Sequence, residues 1–230
     1  MNDSDFDDRV RNAFLPNFCK YRNYDISGFK SDTLGRVGKY DAGWFLKALS
    51  SKTVKQVQGG ALFTTEIEEL SGAKEQIFWS GNKSISPRPI TLWVEPIITI
   101  GAAGRLHGEF KWPNELIGLQ SKGNWAFDLM AYNAHKHPII ACEVKKSERE
   151  IDFLIEAMMD FVSSPPLDEE PSESKLRNAY RKVIALRRLN PKYFWALGPD
   201  NYGSVFRIVS GRLEEVEQDV LTYVSGPNSD

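Results

Sequence analysis

Cysteine, histidine and long apolar runs are all scarce in this chain, and each scarcity removes a class of protein. Only two cysteines, Cys19 and Cys142, occur in 230 residues, and they lie far apart. A disulfide framework is therefore not expected. Cys142 sits inside an apolar run and reads as a buried free thiol, which fits a reducing, cytoplasmic setting. With three histidines and two cysteines, a structural zinc site is not expected either. No apolar run approaches the roughly 18 residues that span a bilayer, so no membrane partner is expected. The opening Met1-Asn2-Asp3-Ser4-Asp5 is acidic and polar, unlike a secretory signal.

An excess of charge is lacking too. Lys and Arg number 29 against 31 Asp and Glu, a formal charge of −2. That argues against binding polyanions by bulk charge but leaves room for a local basic face. Hydrophobic residues at 41% and charged residues at 26% describe an ordinary globular chain. Its length allows one sizeable core with an N-terminal elaboration.

Residues 1–85 carry weak patterns. Phe6 to Leu15 reads as an amphipathic helix stopped by Pro16. Trp44 to Leu49 suggests a helical turn or more, and Ala61–Ile67 and Gln76–Trp79 suggest a hairpin around Ser71-Gly72. Residues 81–89 are a loop by composition. Ile90 to Leu106 reads mostly as a buried helix; the alternative is a strand to Val94 and a helix from Pro96.

Three strands are predicted next, over Glu115–Gln120, Trp125–Asn133 and Pro138–Lys146. Ser147-Glu148-Arg149-Glu150 matches a capping box before a helix bearing Ile151, Leu154, Ile155 and Met158. After a proline-rich, acidic loop, a helix over Lys175–Leu189 stops at Asn190-Pro191. Strands over Tyr193–Leu197 and Val205–Val209 and a terminal helix over Arg212–Val224 complete the pattern. The order predicts an α/β fold with a mixed central sheet flanked by helices. It divides the chain into an N-terminal accessory region, 1–85, and a core, 86–230.

Strand alternation brings chemistry together. Asp128 shares a face with Met130 and Tyr132, and Glu143 shares one with Ala141 and Lys145. The short link from Asn133 to Pro138 predicts an antiparallel hairpin that sets Asp128 opposite Glu143. Two carboxylates and a lysine then converge between apolar neighbours. Charges placed there cost several kcal/mol each, on the order expected for desolvated ions, unless something compensates them. A hard divalent cation does so, and a lysine beside it adds charge for phosphodiester chemistry. A structural salt bridge on a sheet is the simpler alternative.

Asp128 followed by Glu143-Val144-Lys145, with the run Ile139 to Ser147 and a helix directly after it, resembles the PD-(D/E)XK nuclease superfamily, the restriction-endonuclease-like proteins. Phe127 stands where the family motif has proline. The resemblance implies a restriction-endonuclease-like core over 86–230 with an N-terminal extension. It implies a metal-dependent endonuclease hydrolysing phosphodiester bonds in DNA, in restriction or phage defence. Asp128 and Glu143 would hold Mg²⁺, or Mn²⁺ in its place, and Lys145 would be the catalytic lysine. Glu95, at the start of the helix before the first strand, is the candidate further acid.

Two other readings stay open: a non-catalytic nucleic-acid-binding or scaffold subunit, and an RNA-cleaving effector. Cutting both strands with one centre per chain would call for a homodimer, and a defence-system partner protein is the other assembly considered. Gln120 is a candidate phosphate or water contact, and Lys146 a secondary one. Lys175, Arg177, Arg181 and Lys182 form a candidate phosphate track; the alternatives are a solvated helix face and a partner for the acidic 168–173 loop. The six tryptophans are read as core or interface residues.

Overall fold

The computed structural model describes residues 3–57, 59, 61–122, 126–209 and 212–224. Trp125, expected to begin a strand, lies outside them. The chain opens with α1 (Asp3–Arg9), a π-helical segment (Val10–Phe14) and α2 (Leu15–Arg22). Pro16 does not stop this helix as expected. The widened π turn ends just before it, and Pro16 falls in the first turn of α2, where its missing N–H costs nothing. Asn23, in the left-handed conformation, ends α2 instead.

After α3 (Lys39–Ser50) come β1 (Val54–Gln56), β2 (Leu62–Thr65) and β3 (Glu75–Gln76), which form a small antiparallel sheet. A hairpin follows from β4 (Phe78–Ser80) and β5 (Ile90–Leu92), flanking the expected 81–89 loop. The next helix, α4, spans Val94–Gly108. Thus Ile90 to Leu106 is a short strand and then a helix, because Pro96 has its place in the first helical turn.

The main sheet contains β6 (Ile117–Leu119), β7 (Leu129–Tyr132), β8 (Pro138–Val144), β9 (Tyr193–Leu197), β10 (Gly203–Val209) and β11 (Arg212–Val216). Its order is β11-β10-β9-β8-β7-β6. Only β8 and β9 pair in parallel, so the sheet is mixed. Between these two strands the chain crosses over through α5 (Glu148–Val162) and α6 (Ser174–Leu189). Asn190, left-handed, caps α6 just before Pro191. Ser147 occupies the N-cap of α5, but its side chain makes no capping hydrogen bond.

The predicted terminal helix over Arg212–Val224 is not formed. Its first half is the edge strand β11, paired with β10 through Leu213↔Ile208, and a short 3₁₀ turn covers Gln218–Leu221. The alternation of Leu213 with exposed Arg212 and Glu214 is a strand pattern that charge content obscured.

Each face of the sheet has its own layer. Leu129, Ala131, Ile140, Cys142, Val144 and Trp195 pack with Ile97, Ile98 and Ala103 of α4. Met130, Ala141, Phe194 and Phe206 pack with Ile151, Leu154 and Met158 of α5 and with Val183 and Leu186 of α6. Helix α4 is buried almost throughout because α3 covers its other side. Phe6, Phe14, Phe45 and Phe63 belong to the same apolar cluster as the α4 face of the sheet, so residues from the 1–85 segment share that core.

Candidate metal and catalytic centre

The hairpin of β7 and β8 sets the site. Its pairs Leu129↔Cys142 and Met130↔Ala141, carried one residue further, place Asp128 against Glu143. The bulge in this hairpin falls at Tyr132, beyond the site. Asp128 itself lies just before β7. Its N–H donates to Cys142 O at 3.0 Å and its carbonyl accepts from Gln120 N–H at 2.7 Å, so its backbone is tied on both sides. The Val144 N–H donates to Asp128 Oδ2 at 2.8 Å, which fixes the carboxylate at the end of the ladder.

Glu143 is 2% exposed and is reached by two ammonium groups. Lys145 Nζ donates to Oε1 and also to Val144 O at 3.0 Å. Lys182 Nζ, arriving from α6, lies 2.5 Å from Oε2 and donates to Ala126 O at 2.7 Å. The contact with Oε2 is a close, buried ion pair. The Lys182 ammonium also stands over the Phe127 ring, 5.6 Å from its centroid.

Two carboxylates therefore face two ammonium groups in a mostly apolar setting. Burial, and then the charge of Glu143, pushes Asp128 well above the ordinary aspartate range. Burial would do the same to Glu143, but Lys182 and Lys145 outweigh it and hold Glu143 below the usual glutamate value. Burial disfavours the Lys145 charge, yet Glu143 and Asp128 overcome this and keep it protonated well beyond the ordinary range.

Lys182 was expected on an exposed phosphate track and is instead buried at the centre. It occupies the apolar stripe defined by Ala179, Val183 and Leu186, one turn spacing from each end. Its partners on the track are dispersed. Arg181 grips Glu170 through three contacts of 3.0, 3.0 and 2.7 Å, so it pairs with the acidic loop rather than standing free. Lys175 is exposed, with its ammonium 5.5 Å from the Phe153 ring centroid, and Arg177 is half-buried. Lys146 turns outward and pairs with Glu150 at 3.5 Å.

Gln120 is left-handed, with φ 57°, and its amide donates to Glu75 Oε1 at 2.6 Å. Glu75 had no sequence signal, since it lies in a strand of two residues. Burial, and less so the nearby Glu95, raises its carboxyl to about 7, while the Gln120 bond pulls the other way. Glu95 begins α4, on the sheet face opposite Glu143, and its Oε2 accepts from the Trp93 indole at 3.3 Å. It acts on Lys145 through charge alone. Among the described residues, no three Asp, Glu, His or Cys side chains gather into a metal-holding group.

The donor set still suits a hard cation. Mg²⁺ commonly takes one or two carboxylates and fills its remaining positions with water and phosphate oxygen. The buried Glu143 Oε2 is the oxygen such an ion would take, in competition with the Lys182 ammonium.

No family model matches this chain, and no curated protein or solved structure is similar enough to it to match.

Proposed function

We propose that this chain is a divalent-metal-dependent nuclease of restriction-endonuclease-like architecture, hydrolysing phosphodiester bonds in DNA. One observation carries the reading: Asp128, just before β7, lies opposite Glu143 of β8, with the Lys145 ammonium on Glu143. Asp128 and Glu143 would hold Mg²⁺ or Mn²⁺. The ion, when bound, supplies an activated water and neutralises charge on the phosphate.

The chain's own residues do the rest. The Val144 N–H and the β8 backbone fix Asp128, so the carboxylate is oriented before any ligand arrives. Lys145 places positive charge where the phosphate gains negative charge in the transition state. Phe127 and the apolar strands exclude water around the pair, which strengthens each electrostatic contact. Restriction or phage defence is the setting that goes with this activity, with a homodimer as the arrangement for cutting both strands.

A second reading has one observation in its favour. The Lys182 ammonium sits on Glu143 Oε2, and with Lys145 it balances both carboxylates without a metal. That arrangement suits a nuclease-like scaffold or a binding subunit whose acids no longer act.

The test is cleavage of supercoiled plasmid and of a matched RNA with Mg²⁺, by the wild type, Asp128→Ala and Lys145→Ala. Metal-dependent nicking of DNA by the wild type alone supports the nuclease. Equal activity in all three proteins removes it, and preference for RNA redirects it to an RNA-cleaving effector.

A further inference from the structure

Tryptophan is seldom left in water, because its ring is the largest apolar surface a side chain offers. Trp79 is nevertheless 59% exposed and Trp93 39% exposed, although both were expected in the core or an interface. Trp79 lies on β4 and Trp93 is the residue before α4. Their rings meet edge to face, with centroids 6.1 Å apart and planes at 74°. Together with Thr91, Leu92 and Val94 they line a cleft of about 580 Å³.

Arg36 and Lys146 complete that lining, which among the described residues contains no acid. Among the described residues the two cations have loose partners at 3.5 Å: Asp32 for Arg36 and Glu150 for Lys146. The Arg36–Asp32 pair lies in open solvent, and Lys146 is itself largely exposed, so little holds either cation against a better anion. Glu95, just after Val94, accepts a hydrogen bond from the Trp93 indole at Oε2. Lys146, the residue after Lys145, brings the cleft to the end of β8, although its side chain turns outward from the candidate centre.

We infer that this cleft binds an unpaired nucleotide of a nucleic-acid strand, with its base against the exposed face of Trp79 or Trp93 and its phosphates beside Arg36 and Lys146. A flat base can lie on one indole while the other ring closes the side of the cleft. Indole faces accept any base, so the contact selects for unpaired bases rather than for sequence. The cations select for the phosphate that accompanies each base. The inference rests on the nuclease reading for its biological sense, and it gives that centre a substrate class: DNA with a single-stranded stretch or an extruded base.

The test is binding without cleavage. Fluorescence anisotropy in EDTA measures the affinity of the full chain for a labelled DNA strand of about 12 nucleotides, its duplex form and a fully abasic strand of equal charge. An RNA strand of the same sequence identifies the sugar preferred. The wild type is expected to bind the intact strand on the order of tenfold more tightly than the abasic strand. Trp79→Ala and Trp93→Ala are expected to lose most of that difference, while Trp79→Phe keeps much of it. Trp79 is mostly exposed, so Trp79→Ala is expected to melt as the wild type does, and circular dichroism shows that each variant is folded.

Equal affinity for intact and abasic strands overturns the inference, as does unchanged binding in folded Trp79→Ala and Trp93→Ala. Neither outcome depends on hydrolysis. A failed platform beside normal plasmid cleavage leaves the nuclease standing, and base-dependent binding without cleavage removes the nuclease and leaves the platform.

Discussion

Glu143 Oε2 lies 2.5 Å from the ammonium of Lys182, although one residue is on a central strand and the other on a crossover helix. The contact ties α6 to the candidate centre and puts a lysine where a metal ion would compete for the same oxygen.

Removing that ammonium should have two opposed effects. Lys182→Met leaves Glu143 with Lys145 alone and is expected to cost about 3 kcal/mol of stability, as breaking a buried pair does. The same change frees Oε2 and should tighten Mn²⁺ binding. Thermal melts with and without Mn²⁺ check both: the variant melts lower than wild type without metal and gains more on adding it.

Glu75 gives the fold a distinctive pH dependence. Its carboxyl is raised from 4.5 to about 7, so the folded state holds a proton that the unfolded chain has released. Stability from this group is full below about 4.5 and is lost as pH rises towards 7. The loss is roughly 3 kcal/mol, from about 1.4 kcal/mol per unit. Glu75→Gln can keep a hydrogen bond with Gln120 and should flatten this slope. Urea unfolding of both proteins between pH 5 and 8 (roughly the range where the proton is released) reads the difference.

Two glycines predict opposite signs. Gly104 of α4 faces α3 so closely that a Cβ would stand 2.8 Å from Trp44 O and 2.9 Å from the Ala48 Cβ. Gly104→Ala gains roughly 1 kcal/mol in helix propensity but forces two helices apart, and a net loss of about 1–3 kcal/mol is expected. Gly43 of α3 has nothing within 4 Å of that position. Gly43→Ala should stabilise by about 0.5–1 kcal/mol. Denaturant midpoints of the two variants check the pair.

Arg105 is 2% exposed at the heart of another network. It donates to Glu109 at 2.8 Å, to Gln218 at 3.1 Å and to Asn201, with its guanidinium 5.1 Å from the Trp195 ring centroid. Lysine cannot make this planar fork of contacts. Arg105→Lys is expected to destabilise by about 2–4 kcal/mol in chemical unfolding, without moving Asp128 or Glu143.

The centre was largely legible because local rules define it. Side-chain alternation and a short hairpin set Asp128 against Glu143, and both are properties of neighbouring residues. The main sheet and its crossover helices followed from clear periodicity. Lys182 had a signal that charge concealed: it repeats with Ala179, Val183 and Leu186 on the apolar stripe of α6. Glu75 and the exposed pair Trp79 and Trp93 had none, since tertiary packing alone decides what covers them. Pro16 lies inside a helix because a π turn precedes it, and Arg212–Val216 is an edge strand whose alternation its charges obscure.

The central claim is that the Asp128–Glu143 pair holds a divalent metal. Crystals of the protein soaked in Mn²⁺ and measured at the manganese absorption edge test it most directly. The expected result is an anomalous peak between the two carboxylates, with the Lys182 ammonium displaced from Glu143 Oε2. Density showing Lys182 still seated on Glu143, with no peak between the carboxylates at saturating Mn²⁺, would contradict the claim and leave the scaffold reading in its place.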